Sequence, residues 1–336
     1  MQVSRLAAQI EALSDLRAIV IQAQMSAEDA CLTRSRREYL RTRAVVEDLV
    51  DGARALYCAR LFDGFERCQV AALLRMARRV PVVIRCPTTD DAARLRRVVD
   101  CLGVEGGSAR LVAHCLNAKS VALLAGRANV ACELQPNTAR PAAGVESANT
   151  TPLQAPRYFY CGRGAKSKNV EALVKAWDWA GGRELLELYG PVDLAQVAAS
   201  GCRLKFAGCY QGDPPFKFGD IVFLPSFREG HPNVLVEAFK AGSVLVGTDI
   251  PGIREHIEKG GGIIIRRPFN VSSLVVAVRS ALQLTPEQRT AVGVRCRTYF
   301  AEHFSSPLSS AALVVARVMG LPVTLTCTPW PSDSRT

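Results

Sequence analysis

Short apolar runs alternate with amphipathic segments along most of this chain. In the second half, the apolar runs predict strands at 157–162, 184–190, 203–208, 219–226, 243–249 and 260–267. Apolar residues at helical spacing predict helices at 169–180, 193–201, 232–242, 271–284 and 286–303. Strands that alternate with helices favour a parallel sheet covered by helices on both faces.

The first half follows the same alternation less regularly. Its predicted strands are 17–23, 55–62, 80–86, 110–116 and 129–136, and its predicted helices are 3–14, 36–50 and about 66–79. Residues 136–157 have the Pro-, Ala-, Ser- and Thr-rich composition of a linker. We therefore predict two doubly wound α/β domains, 1–150 and 151–325, with a last helix able to pack back on the first domain. A disordered tail is expected at 326–336.

Composition narrows the class of protein. The 336 residues are 49% apolar, which is enough for two buried cores, and the formal net charge is +11. Much of the basic excess lies in the first half, at Arg34, Arg36, Arg37, Arg41, Arg43, Arg75, Arg78, Arg79, Arg85, Arg94, Arg96 and Arg97. Such an excess favours phosphorylated ligands or an anionic membrane surface, although solvated helix faces explain it more simply. Nucleic acid is not expected, because no aromatic residues interleave with the basic ones.

The cysteines and the apolar runs indicate where the protein resides. The 12 cysteines are scattered singly without a CxxC pair, which argues against a zinc site and a disulfide framework and favours a reducing compartment. No signal peptide is visible, and no apolar run reaches the roughly 18–20 residues that span a bilayer. We expect a cytoplasmic protein, attached at most peripherally to an anionic membrane through its basic first domain.

The loop after the first predicted strand of the second half reads Gly-Arg-Gly-Ala-Lys-Ser-Lys-Asn over residues 162–169. Glycine lets a backbone approach a ligand closely, and Arg163 and Lys168 can both face a phosphate. A basic loop by itself is more often merely solvated.

Residues 227–237 read FREGHPNVLVE and place two carboxylates around a helix start. Pro232 begins the helix, so the free N–H groups of the first turn form an anion site. Glu229 precedes that turn and Glu237 lies about 7–8 Å along the axis, so both can accept hydrogen bonds from hydroxyls beside a bound diphosphate. The alternative makes Glu237 a surface carboxylate and Glu229 an incidental loop residue. A third loop, 247–255, is typical of a tight turn before a helix.

In this order, G-R-G-A-K-S-K-N, F-L-P-S-F-R-E-G-H-P-N-V-L-V-E-A and G-T-D-I-P-G-I-R-E resemble motifs of glycosyltransferase family 4. Its members are retaining GT-B enzymes related to glycogen synthases and to lipopolysaccharide and mannosyl transferases. Glu229 and Glu237 match the E-x7-E signature, and the resemblance covers about residues 157–305. It implies two Rossmann-like domains facing a cleft. It also implies sugar transfer from a nucleoside-diphosphate sugar to a glycan, lipid-linked or polysaccharide acceptor, without cofactor or metal.

The resemblance also implies a role for each matching residue. Arg163 and Lys168 would hold the diphosphate and stabilise its leaving oxygen, while Glu229 would contact hydroxyls of the transferred sugar. Glu237 would bind the ribose. The backbone that meets the phosphates and the sugar would come from Gly162, His231, Pro232, Asn233 and Val234.

The first half departs from the family pattern. The chain opens almost directly on a helix, so the first strand and its glycine-rich loop are expected to be missing and the N-terminal domain reduced. Arg85 and Cys86 stand where relatives carry a histidine, and His114 is expected to be a packed or surface residue. Two alternatives therefore stay open: a non-catalytic GT-B binding or regulatory protein, and a sugar-nucleotide epimerase.

Overall fold

The computed structural model describes residues 55–58, 73–74, 77–78, 80–102, 111–127, 130–140, 155–192, 201, 203–210 and 213–321. Predictions for 3–14, 17–23 and 36–50, for most of 66–79 and 193–201, for the reduced N-terminus and for the tail lie outside these residues. Contacts within the chain group residues 1–135 and 308–324 into a first unit and residues 136–307 and 325–336 into a second. The domain boundaries near 150 and 325 stay predictions, because contacts do not measure independent folding.

Strands and helices are numbered here along the described residues. The strands are β1 (Leu56–Cys58), β2 (Val82–Cys86), β3 (Leu111–Cys115), β4 (Val130–Leu134), β5 (Tyr158–Cys161), β6 (Leu186–Tyr189), β7 (Leu204–Gly208), β8 (Ile221–Leu224), β9 (Val244–Thr248) and β10 (Ile263–Ile265). The helices are α1 (Thr89–Leu102), α2 (Ala118–Leu124), α3 (Val170–Trp179), α4 (Asn233–Ala241), α5 (Arg254–Gly260), α6 (Val271–Leu282), α7 (Pro286–His303) and α8 (Ser310–Val318).

The first unit has a parallel sheet in the order β1-β2-β3-β4. Alternate residues of a strand point to opposite faces, and both faces of β2 are buried. Ile84 lies in one apolar cluster with residues of α1 and α2, whereas Val83 lies in another with residues of α8. Arg317 of α8 also donates to the Gln135 side chain at 2.7 Å. Helix α8 therefore packs on the first sheet.

The second unit has a six-stranded parallel sheet in the order β10-β9-β8-β5-β6-β7. This is the doubly wound order 3-2-1-4-5-6 read from its other edge. Every residue of β8 and of β9 is buried, as expected for the centre of a parallel sheet. The helices pack in two groups, α3 with α6, and α4 and α5 with α7.

Most predicted elements of the second unit agree with the structure to within three residues. Gly242 ends α4 in the left-handed conformation, with φ 76°. Thr285 and Gln288 form a reciprocal capping box at the start of α7. The predicted strand at 260–267 begins only at Ile263, because α5 continues to Gly260.

Helix α1 was not predicted from the sequence. Its three arginines, Arg94, Arg96 and Arg97, were assigned to a basic cluster, which hides its apolar face. Leu95 and Val98 on that face are buried against the sheet. Among the described residues, no helix has the length and apolarity needed to cross a bilayer.

Candidate functional site

The carboxyl ends of β5 and β8 meet at the centre of the second sheet. The two strands are neighbours, although β6 and β7 lie between them in the chain. The strand order reverses here, and ligands of doubly wound sheets bind beyond the carboxyl ends at such a point. The loops that follow these strands, 162–169 and 225–232, carry most of the predicted site residues.

The loop after β5 is held by hydrogen bonds to its backbone that leave the Arg163 side chain exposed. The Gly162 N–H donates to the Tyr189 carbonyl at 2.9 Å, and the Tyr160 hydroxyl donates to the Arg163 carbonyl at 2.7 Å. Asn169 ends the loop in the left-handed conformation, with φ 57°. The Arg163 side chain is exposed and forms no ion pair with any residue that the structure describes. It is therefore available to an anionic ligand.

Lys168 and Glu229 bring the two loops together as an ion pair. Their side chains are only 19% and 11% exposed, so the pair is largely shielded from water. The Ser226 hydroxyl also donates to Glu229 at 2.7 Å, and the Thr248 hydroxyl donates to the Ser226 carbonyl at 2.6 Å. The Phe227 N–H donates to the Ser167 carbonyl at 2.9 Å. These bonds fix the carboxylate and ammonium groups against each other.

The start of α4 faces the same edge of the sheet. Pro232 is the N-cap, and the helix begins at Asn233, whose side chain is exposed, followed by the half-buried Val234. The Leu235 N–H donates to the Pro232 carbonyl at 3.1 Å, whereas the amides of Asn233 and Val234 precede any helical carbonyl partner. The positive end of the helix dipole favours an anion beside these two amides. A Cβ on Gly252 would lie 1.8 Å from the Gly230 carbonyl oxygen. The turn at 249–253 therefore packs closely against the loop that leads into α4 and limits its movement.

Glu237 lies in the middle of α4 and is held by an aromatic residue from another loop. The Tyr210 hydroxyl donates to Oε2 of Glu237 at 2.5 Å. Burial raises the pKa of Glu237, and the hydrogen bond from Tyr210 opposes this rise. The carboxylate is half-buried, so its free oxygen can still accept a hydroxyl group of a ligand.

Residues 155–283, which contain all these groups, match the family model for glycosyl transferases group 1. HepE from Anabaena, crystallised with UDP and glucose, superposes with a TM-score of 0.63 at 13% identity, over 83% of this chain and 81% of HepE. WaaG, a glycosyltransferase involved in lipopolysaccharide biosynthesis, has a TM-score of 0.59 at 17% identity over 94% of each chain.

Sucrose-phosphate synthase from Thermosynechococcus elongatus has a TM-score of 0.63 at 14% identity, over 88% of this chain and 79% of the synthase. Curated protein sequences include no match. At these identities the likeness shows the fold. The chain therefore has the α/β fold with parallel sheets found in GT-B glycosyltransferases, and this prediction is confirmed.

The His231 side chain is buried in the protein, so only the backbone of this residue is available to a ligand at the start of α4. Its Nδ1 accepts from the Asn137 N–H at 3.2 Å, and its carbonyl accepts from the Asn137 side chain at 2.6 Å. Its ring packs edge-on against His256 at 4.6 Å and Phe304 at 4.9 Å between centroids. Its Nε2 is buried without a hydrogen-bond partner in the described part of the chain. Burial lowers the pKa of His231 to about 3.

We expect the protein to lose stability in mild acid because His231 stays neutral when folded. The unfolded chain takes up a proton below about pH 6.5, so the free energy of unfolding falls as the pH drops from there towards 3. Between pH 7.5 and 5.5, this one residue should account for about 1.4 kcal/mol. Urea denaturation of wild type and His231→Phe at both values measures it. The variant should start less stable, because Asn137 loses an acceptor, and then lose about 1.4 kcal/mol less. Equal losses would contradict the assignment.

His114 is a packed residue rather than part of a site. It is buried on β3, with Nε2 3.0 Å from the Gln135 carbonyl oxygen and Nδ1 3.3 Å from the Tyr57 hydroxyl. Burial lowers its pKa to about 4. Within the described residues, no group of three His, Cys, Asp or Glu side chains is arranged to hold a metal ion. The expectation of a reaction without metal or cofactor stays a prediction.

Three residues that shape the site were not singled out from the sequence. Ser226 and Thr248 hold Glu229 in place, and Tyr210 holds Glu237. Tyr210 lies two residues after the end of β7, and its one local signal is that an aromatic residue follows a strand of a parallel sheet. Its distance of 27 positions from Glu237 along the chain hides the contact.

Proposed function

We propose that this protein is a retaining glycosyltransferase that moves a sugar from a nucleoside-diphosphate sugar to a glycan, lipid-linked or polysaccharide acceptor. The observation that carries the proposal is the Lys168–Glu229 pair at the reversal of the strand order, inside the stretch that matches the glycosyl transferases group 1 model. The UDP and glucose bound by HepE support a nucleotide sugar as the donor.

The donor diphosphate would lie between Arg163, Lys168 and the first turn of α4. Arginine offers a planar fork of donors and lysine offers three donors around one charge. Lys168 can therefore keep its bond to Glu229 while another of its N–H groups reaches a phosphate oxygen. Negative charge grows on the diphosphate as the sugar departs, and donors already fixed in place stabilise that charge without reorganising.

Glu229 would accept hydrogen bonds from hydroxyls of the transferred sugar, and Glu237 would accept them from the ribose. The backbone from His231 to Val234 would meet the phosphates and the sugar. In the retaining reaction we propose, the acceptor attacks the face from which the diphosphate leaves. The leaving phosphate oxygen takes the acceptor proton, so no separate side-chain base is needed.

Contact of the basic first domain with an anionic membrane stays a prediction from the sequence. The non-catalytic alternative predicts donor binding without sugar transfer or hydrolysis, and the epimerase alternative predicts an isomerised sugar nucleotide as the product.

We expect a nucleoside-diphosphate sugar to raise the melting temperature of the purified protein selectively. A panel of UDP, GDP, ADP and CMP sugars tests this. A ligand at about 100 times its Kd should add roughly 2.7 kcal/mol to the free energy of unfolding. Arg163→Ala and Glu237→Ala should remove most of the shift, because each loses a bond that the donor would make.

Arg183→Ala is the matched control for Arg163→Ala. Arg183 is also exposed, but it precedes β6. It therefore lies at the amino ends of the parallel strands, whereas the candidate site lies at their carboxyl ends. This variant should keep the full shift. No shift of a well-folded wild-type protein with any donor, or an equal loss in both arginine variants, would refute the donor site.

A further inference from the structure

An exposed aromatic ring lies beside the Lys168–Glu229 pair. Phe227 comes two residues before Glu229, and 43% of it is exposed. Its ring packs against that of Phe269 with 6.5 Å between centroids, and its N–H donates to the Ser167 carbonyl at 2.9 Å. The donor site proposed above does not use this ring. Phe227 is therefore fixed next to the site while its ring stays accessible to a ligand.

Phe269, which supports this ring, has an uncommon backbone conformation. Among the described residues, Phe269 and Asn169 are the non-glycine residues with positive φ, at 60° and 57°. The Asn169 side chain donates to the Phe269 carbonyl at 3.0 Å, and the Arg267 guanidinium lies over the Phe269 ring, 4.9 Å from its centroid. Such backbone strain is concentrated at ligand-binding sites. We call Phe227, Phe269 and Arg267 the aromatic–arginine patch.

The loops around the aromatic–arginine patch carry an excess of positive charge. Six basic and two acidic residues lie in the loops that follow β5, β8, β9 and β10, at 162–169, 225–232, 249–253 and 266–270. Both acidic residues are paired, Glu229 with Lys168 and Asp249 with Arg254. Besides Arg163, three exposed basic residues form no ion pair with the described residues: Lys166, Arg266 and Arg267. An anionic ligand therefore fits this part of the surface.

The order of the strands places the aromatic–arginine patch on the side of the site away from the proposed ribose. The sheet runs β10-β9-β8-β5-β6-β7. Tyr210, which follows β7, donates to Glu237, so the proposed ribose ligand is held from the β7 side. Phe269 follows β10 at the other edge and contacts Phe227. A molecule bound on the β10 side would reach the transferred sugar at Glu229 from the direction opposite to the nucleotide.

We propose that the aromatic–arginine patch binds the acceptor, and that this acceptor is a sugar carrying a phosphate or carboxylate group. This rests on the proposed function. The apolar face of a sugar ring can lie on the Phe227 ring, which removes apolar surface of both from water. Arg267 offers a planar fork of donors that matches phosphate and carboxylate, and its contact with Phe269 orients the fork.

A sugar fits the aromatic–arginine patch better than a membrane surface does. Phe227 is the one large apolar residue that is exposed in these four loops, all of which the structure describes. Binding in a membrane interface scales with the apolar area that is buried, and one ring supplies little of it. One ring next to a guanidinium is enough for a single sugar and its charged group.

Equilibrium binding of matched sugars to the full chain tests this proposal. The protein is first saturated with whichever of UDP, GDP and ADP binds tightest. The probes are glucose, mannose and N-acetylglucosamine, each beside its phosphate ester, and glucuronic acid beside glucose. At least one charged sugar should bind about 10-fold tighter than its neutral partner, the usual effect of a hydrogen bond between charged groups.

Two variants and two matched controls assign this binding to the aromatic–arginine patch. Phe227→Ala should weaken binding of the charged sugar about 5- to 20-fold, because the buried apolar area is lost. Arg267→Gln should remove the preference for the charged sugar. The controls are Phe206→Ala, which removes an exposed ring from β7, and Arg183→Ala, and both should bind the charged sugar like wild type. All four variants should bind the nucleotide within about twofold of wild type.

The outcomes separate this proposal from the proposed function. If wild type binds the nucleotide but prefers no charged sugar, this proposal is overturned and the donor site stands. Unchanged sugar binding by Phe227→Ala, or an equal loss of sugar and nucleotide binding, would overturn it as well. Binding to anionic phospholipid vesicles that depends on Phe227 and Arg267, without a preference among sugars, would assign the patch to a membrane instead. Failure of wild type to bind any nucleotide would overturn the proposed function and this proposal together.

Discussion

Replacing Lys168 by alanine is expected to slow hydrolysis of the nucleotide sugar about 100- to 1000-fold, the usual effect of losing one preorganised donor to a developing negative charge. Hydrolysis is the reaction to follow because water replaces the acceptor, whose identity is open. The loss should fall on kcat, since the charge on the diphosphate grows as the sugar leaves. The fold-decrease in kcat should exceed the fold-decrease in donor affinity, because Arg163 and the first turn of α4 would still bind the diphosphate.

The matched control is Lys175→Ala. Lys175 lies on the exposed side of α3 and pairs with Glu171 at 2.7 Å, so this variant also removes one lysine and one ion pair. It should hydrolyse the donor at the wild-type rate, because exposed pairs within a helix contribute little. A folded Lys168→Ala protein with wild-type kcat would show that this lysine takes no part in the reaction.

Gly252→Ala should destabilise the protein by about 2–5 kcal/mol, from strain at positive φ together with the clash of an added methyl group. Gly252 has φ 84°, and its Cβ would lie 1.8 Å from the Gly230 carbonyl oxygen. Relief of this clash requires the loop before α4 to move, and that loop carries Glu229. Donor binding should therefore weaken as well. Urea denaturation and the donor-induced shift in melting temperature measure the two effects.

Gly181→Ala separates the two causes. Gly181 has nearly the same φ, 81°, but its Cβ would meet no atom of the described residues within 4 Å. The free energy of unfolding of this variant should fall by only about 1–2 kcal/mol, because only the conformational strain remains. Its donor binding should be normal. Equal losses of stability and of donor binding in the two glycine variants would show that the contact between Gly252 and Gly230 does not hold the site in place.

The elements of the second unit were predictable because their signals are local. Strands β8 and β9 are continuous apolar runs, which is typical of central parallel strands. Pro232 and Gly242 bound α4 through their own backbone preferences. Helix α1 escaped prediction although its buried residues Ala92, Leu95, Val98 and Val99 recur at helical spacing, because its arginines were assigned to a basic cluster.

The site was predictable only in part, and the remainder depends on residues far apart in the chain. The sequence by itself determined the local chemistry: a basic loop after β5, two carboxylates spaced around the start of α4, and the helix start between them. Only the tertiary structure decided which groups meet. It pairs Lys168 with Glu229 across 61 positions and Tyr210 with Glu237 across 27. The reason is physical. The order of strands in a sheet follows from how helices pack on its two faces, and no local periodicity records it.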